Sequence, residues 1–246
     1  MPNSRKVALI TGAAKRIGAA CVRLLHAHGY NIILHHHTSV QQAQQLADEL
    51  NDLRARSAYL VSADLLKLDQ VQALAEQTSH AWGDLDVLVN NASLFYAGQL
   101  GSVTEQDWDD LLASNLKAPF FLSQALAPSL RKRQGCIINI ADIHAEKGLL
   151  GFPVYSIAKA GLVAMTKCLA KELAPDVRVN AVAPGAILWP DQLTSEAQKT
   201  EILQKVALKR CGEVEDIARA VRYLCDDAAY MTGQVLTVDG GRMLYT

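Results

Sequence analysis

Apolar residues along the chain fall into two alternating patterns. Seven short runs are β-branched and almost uninterrupted in apolar character: Val7–Thr11, Asn31–His35, Ser57–Ser62, Leu85–Asn90, Cys136–Ala141, Val177–Val182 and Gln234–Val238. Such runs predict strands buried on both faces. Between them lie longer stretches whose apolar positions recur every three to four residues, which predicts helices. These are Arg16–His28, Val40–Leu53, Leu66–Ala81, Thr104–Lys132 with a kink near Pro119, Tyr155–Leu173, a polar stretch Asp191–Val206, and Glu213–Cys225. Strict β/α alternation with buried strands predicts an α/β protein, a single-domain Rossmann-type doubly wound parallel sheet. No linker, repeat or low-complexity segment divides residues 1–246.

In such sheets ligands bind beyond the carboxyl ends of the strands. After the first strand comes Thr11-Gly12-Ala13-Ala14-Lys15-Arg16-Ile17-Gly18. Gly12 allows a tight turn and Gly18 a close helix–strand approach, so the helix N-terminus directs N–H groups at a pyrophosphate. Gly12, Arg16 and Ile17 are the expected contacts there. The second strand ends in His35-His36-His37-Thr38-Ser39, with no acid to bond a ribose 2′-hydroxyl. A 2′-phosphate tolerates these donors and the Arg16 cation, so NADPH is the expected cofactor, held by Arg16, His36, His37 and Ser39. The rival reading of the histidines is a metal site. Consecutive residues on a strand point to opposite faces, which disfavours one shared ion, and no metal is expected.

Charge and composition narrow the classes. The chain has 246 residues, half of them hydrophobic and a fifth charged, with a formal net charge of −1. That balance gives no drive toward nucleic acid or anionic membrane, and the basic run Arg131-Lys132-Arg133 suits a helix C-terminus. The five cysteines are odd in number and lack a Cys-x-x-Cys pair, which argues against a disulfide framework. Cys21 and Cys168 are expected on helix core faces. The opening residues run straight into a strand and do not read as a leader, so a cytoplasmic setting is expected.

Tyr155 and Lys159 stand at i and i+4 and share a helix face. An ammonium beside a phenol is expected to lower the phenol pKa and make Tyr155 a proton donor near neutrality. The order of motifs is more specific than this pair. The glycine turn, Asn90-Asn91-Ala92, Asn115, Tyr155-Ser156-Ile157-Ala158-Lys159, Ala183-Pro184-Gly185 and Val238-Asp239-Gly240-Gly241 together resemble the short-chain dehydrogenase/reductase family over essentially the whole chain. The resemblance implies a catalytic set of Asn115, a polar residue at 142, Tyr155 and Lys159. Lys159 would bind the nicotinamide ribose and Asn115 would hold a relay water. It further implies cofactor contacts from Asp64, which would bond adenine, and from Leu65, Asn91, Ala92, Ser93, Pro184 and Gly185.

Three departures narrow the resemblance. Asp142 stands where the family has serine, Ser93-Leu94-Phe95 follows Asn90-Asn91-Ala92, and Arg16 occupies the glycine turn. With the histidine-rich second strand these are similar to the pteridine reductases. That likeness implies a pterin or folate pocket made by Arg16, Ser93, Phe95, Asp142 and Tyr155. Phe95 could stack on a flat heterocycle, with Phe152 and Trp189 as further candidates for the wall. Burial is expected to raise the Asp142 pKa and make it an acid for a ring nitrogen, with Lys159 opposing. Thr38 stands where that group often has an arginine. The alternatives are a carbonyl reductase acting on a small ketone or 3-oxoacyl substrate, and a non-catalytic NADP sensor. The resemblance also implies a homotetramer, with the helices from Thr104 and Tyr155 pairing across a two-fold axis.

Overall fold

The computed structural model describes residues 5–187 and 195–245. Seven strands form one parallel sheet in the order β3-β2-β1-β4-β5-β6-β7. They are β1 (Val7–Ile10), β2 (Asn31–His36), β3 (Ala58–Ser62), β4 (Val87–Asn90), β5 (Cys136–Ile140), β6 (Arg178–Pro184) and β7 (Val235–Val238). The chain works outward from β1 to β3, then returns to place β4 on the other side of β1. The carboxyl ends of β1 and β4 thus flank the crevice where the winding reverses. The predicted doubly wound parallel sheet is the observed one.

Strand residues alternate between two cores. Ala8, Ile10, Ile32, Leu34, Val87 and Ile138 pack under α1 (Arg16–Ala27), α2 (Val40–Leu53) and α9 (Val214–Asp226). Leu9, Ile33, Leu88 and Ile137 pack under α3 (Leu68–Trp82), α5 (Ala118–Arg133) and α7 (Pro153–Leu173). Each fully buried Leu or Ile contributes roughly 1.5–3 kcal/mol, so the central strands are fixed from both sides. Cys21 is buried in the first core, as expected. Cys168 is exposed, against expectation. α7 is apolar nearly all round, and the stripe that meets the sheet is Leu162, Met165, Leu169 and Leu173, which leaves Cys168 outward.

The predicted helix from Thr104 is interrupted. Thr104 and Asp107 form a reciprocal capping box that starts α4 (Glu105–Leu112). A π-helical turn, Ala113–Lys117, then joins α4 to α5. Pro119 has no N–H for the Asn115 carbonyl four residues back, and the wider turn just ahead of it is where the expected kink falls. A short helix after β5, α6 (His144–Lys147), was not expected; four residues are too few to show a period. The helix α8 spans Glu196–Gln204; Trp189 and residues 191–194 of the predicted stretch lie outside the described residues. No helix among the described residues is long and apolar enough to cross a membrane.

The glycine turn is clamped from both neighbouring strands. From β2, the His35 ring accepts the Gly12 N–H at Nδ1 (3.1 Å), and its Nε2 meets the Ala63 carbonyl at 3.0 Å. That pattern requires the neutral Nε2–H tautomer. From beyond β4, the Asn91 amide donates to the carbonyls of Thr11 (2.7 Å) and Gly12 (3.0 Å). Burial pushes the His35 imidazole down from 6.5 to about 4. The unfolded chain therefore binds a proton between these pH values that the folded chain does not, and stability falls as pH drops through that window. We predict a loss on the order of 3 kcal/mol from this residue between pH 7 and pH 4. Urea unfolding of wild type and His35→Gln at both pH values checks it: the variant loses that much less on acidification, and equal slopes would refute the assignment.

Candidate active site

A cleft of about 780 Å3 opens at the carboxyl ends of the strands, within the range of small-molecule sites. The glycine turn contributes Gly12, Arg16 and Ile17, and the end of β2 contributes His36, His37, Thr38 and Ser39. Asp64 and Leu65 enter after β3, and Asn91, Ala92, Ser93 and Phe95 after β4. Asp142 follows β5, Tyr155 and Lys159 stand on α7, and Pro184 and Gly185 close β6. All the expected site residues except Asn115 therefore line one cleft.

The buried end of the cleft is organised around Asp142. The Tyr155 hydroxyl donates to Asp142 Oδ2 at 2.8 Å. Asp142 Oδ1 accepts from the His144 backbone N–H at 2.8 Å and meets the His144 ring Nδ1 at 2.7 Å. Burial alone raises the Asp142 pKa, but the two His144 bonds, the His144 charge and the Tyr155 hydroxyl together bring it below the usual carboxylate value. This reverses the expected upward shift: donors to the charged form outweigh desolvation. Asp142 is ionised here, and Tyr155 keeps its proton.

The expectation for Tyr155 is corrected in the same way. Its phenol is pushed well above 10, by burial first and then by the Asp142 charge and hydrogen bond. Lys159 cannot offset this. Its ammonium donates to the Ile140 carbonyl at 2.8 Å and stands 5.7 Å from the centre of the Tyr155 ring. Burial lowers the Lys159 pKa to about 8, against the pull of Asp142.

Phe95 stacks on Phe152 with centroids 4.6 Å apart and meets the Tyr155 ring edge-on at 4.8 Å. The three rings make a continuous apolar wall beside the carboxylate. Asn115 sits behind this wall, buried in the π turn. Its Oδ1 accepts the Ser93 hydroxyl at 2.6 Å, and its Nδ2 donates to the Leu94 carbonyl at 3.0 Å. It thereby holds the loop that carries Ser93 and Phe95. His144 was missed by sequence reasoning, although an Asp followed two residues later by a backbone donor is a recognisable turn pattern. Ile187, Ile202 and Arg242 also border the cleft and carry no motif.

Comparison with known proteins agrees with this geometry. The sequence profile of the family described as enoyl-(acyl carrier protein) reductase matches residues 12–243. The 3-oxoacyl-(acyl-carrier-protein) reductase FabG of Staphylococcus epidermidis is 37% identical over 240 residues, 96% of this chain and 98% of its own. Pteridine reductase 1 of Leishmania tarentolae is 37% identical over 279 aligned residues, 97% of this chain and 96% of its own. Identity therefore does not single out the pteridine reductases among these relatives. A blue fluorescent protein from a metagenomic library, solved in complex with NADPH, superposes with a TM-score of 0.90 at 38% identity, covering 96% of this chain and 97% of that one. With fold, motif order and cleft in agreement over nearly its full length, the chain belongs to the short-chain dehydrogenase/reductase family of oxidoreductases.

Proposed function

We propose that the protein is an NADPH-dependent reductase of pteridines, converting dihydropterins, or dihydrofolate, to their tetrahydro forms. The observation that carries this reading is the ionised Asp142 bonded at 2.8 Å to the Tyr155 hydroxyl. A carbonyl oxygen gains negative charge as it is reduced, and a carboxylate next to it opposes that charge. A ring nitrogen that takes up a proton, flanked by N–H donors, is favoured by the same carboxylate. The aromatic wall of Phe95 and Phe152 suits a flat heterocycle.

The residues fit a 2′-phosphorylated dinucleotide. No side chain caps α1 and no acid lies in its first turn, so its N–H groups are free of carboxylate competition for a pyrophosphate. A Cβ on Gly18 would collide with the Gly12 carbonyl, and one on Gly185 would meet Asp239 at 2.6 Å, so both glycines let neighbouring segments pack closely at the edge of the cleft. Arg16, His36, His37 and Ser39 are the candidates for the 2′-phosphate, Asp64 and Leu65 for the adenine side, and Lys159 for the ribose. When bound, NADPH supplies the hydride. Tyr155 supplies the proton, Asp142 orients its hydroxyl, and Asn115 keeps Ser93 and Phe95 in place.

A second reading is reduction of a 3-oxoacyl thioester. It is favoured by the FabG relatives, whose identity equals that of the pteridine reductase. An NADPH oxidation assay with dihydrobiopterin, dihydromonapterin, dihydrofolate and a 3-oxoacyl thioester tests the two. Turnover of the thioester alone would replace the pterin reading.

Three outcomes follow from this site. NADPH is preferred to NADH by about tenfold or more in kcat/KM, since charge-assisted contacts to a phosphate are worth over roughly 1 kcal/mol; equal values would remove the phosphate-contact assignment. Asp142→Asn keeps the shape but removes the charge, and kcat for the pterin falls by about a hundredfold with NADPH affinity unchanged. Near-full activity in this variant would leave Asp142 as a simple anchor. Finally, light scattering at micromolar concentration gives a tetramer. Ala158, Leu162 and Met165 of α7 face the protein's own core, but Ile157, Ala160, Ala164 and Cys168 are exposed along its outer side, and a helix apolar on both sides has to be covered on both. A monomer mass would contradict this.

A further inference from the structure

After β7 the chain runs through Asp239-Gly240-Gly241 into a 3-10 helix, Arg242–Tyr245. Neighbouring segments fasten this turn. Asp239 accepts the N–H groups of Gly241 at 2.8 Å and Met243 at 2.7 Å. Lys147 of α6 donates to the Met243 carbonyl at 3.0 Å, and the Leu208 N–H donates to the Gly240 carbonyl at 3.0 Å. Gly240 and Gly241 both have positive φ, and a Cβ on them would press on Val206 at 2.9 Å and Ala207 at 2.7 Å. The anchored turn brings Arg242, half-buried, to the border of the cleft that Ile187 and Ile202 also line.

Among the described residues, the lysines and arginines that line the cleft are Lys15, Arg16, Lys159 and Arg242. Lys15 and Arg16 stand at the start of α1, on the dinucleotide side, and Lys159 is committed to the Ile140 carbonyl. Arg242 follows the strand at the opposite edge of the sheet. It lies five strand spacings from the end of β2, about 24 Å, which is too far for a 2′-phosphate bound there. From the end of β5 it is two spacings away, about 10 Å, on the far side of Asp142. A substrate whose reacting ring sits at Asp142 and Tyr155 therefore directs its tail, not its ring, at this residue. A guanidinium keeps its charge and presents a planar fork of donors that matches a carboxylate. We propose that Arg242 is a specificity residue that binds an anionic group on the substrate's tail, and that this group is a side-chain carboxylate of dihydrofolate. The identity of the anion rests on the pteridine reading above. An unconjugated dihydropterin has a neutral tail, whereas dihydrofolate carries its carboxylates beyond an aromatic spacer, and Arg242 favours the second.

Substrate pairs that differ in tail charge test this. Arg242→Gln raises KM for dihydrofolate by about tenfold, the worth of one hydrogen bond to a charged group, with kcat unchanged. Its KM for dihydrobiopterin and its dissociation constant for NADPH, measured by fluorescence titration, stay at wild-type values. Arg242→Lys keeps the charge and shows a smaller rise for dihydrofolate. An unchanged dihydrofolate KM in Arg242→Gln, or a rise of equal size for dihydrobiopterin, overturns the proposal. Wild type that reduces dihydrobiopterin but not dihydrofolate also overturns it and leaves the pteridine reading intact. Turnover of thioesters alone overturns the pteridine reading and the carboxylate with it. Anion binding is then judged on a 3-oxoacyl-coenzyme A against its phosphate-free N-acetylcysteamine analogue: a loss in Arg242→Gln confined to the coenzyme A ester sustains it, and an equal loss or none overturns it. No turnover of any of these substrates overturns both.

Discussion

A carboxylate taken out of water must be repaid by donors, or it gives up its charge. Asp142 is held by three: the His144 backbone, the His144 ring and the Tyr155 hydroxyl. Because those bonds keep it ionised, the proton of the site resides on Tyr155, whose phenol is raised rather than lowered. The remaining chemistry follows from that location. Lys159 donates to the Ile140 carbonyl and lines the cleft, 5.7 Å from the centre of the Tyr155 ring. The substrate that suits the site is one whose reacting atom tolerates a neighbouring negative charge.

The fold delivers this arrangement without a dedicated scaffold. Asp142 lies just past the end of β5 and Tyr155 in the first turn of α7, while the His35 and Asn91 clamps fix the glycine turn across the same crevice. Two cores, one on each face of the sheet, hold the strand ends in register, so the loops that carry chemistry leave from fixed points. The π turn at Ala113–Lys117 places Asn115 under the loop after β4, where both polar atoms of its side chain are used.

Much of this was legible in the sequence, for identifiable reasons. Buried parallel strands leave uninterrupted apolar runs, and a ligand cleft at their carboxyl ends follows from topology, which placed Gly12; helix spacing paired Tyr155 with Lys159, and the family resemblance added Asn91 and Asp142 to the same site. What was not legible depends on three-dimensional neighbours. The direction of the Asp142 shift turns on His144, whose short helix has no periodicity. The Tyr155 shift turns on its burial and then on its hydrogen bond to Asp142, and spacing along a helix decides neither. Cys168 was misplaced because α7 is apolar on both sides, and only packing shows which side meets the sheet.

The central claim is that Asp142 is a carboxylate hydrogen-bonded to a protonated Tyr155 in the free protein. Infrared difference spectroscopy between wild type and Asp142→Asn, at neutral pH and with carbon-13 carboxyl-labelled aspartate, tests it most directly. The account predicts that the variant loses an isotope-sensitive ionised-carboxylate band. Loss of a protonated-carboxyl band instead would mean that Asp142 is neutral at rest, and the assignment of the site's proton to Tyr155 would fail.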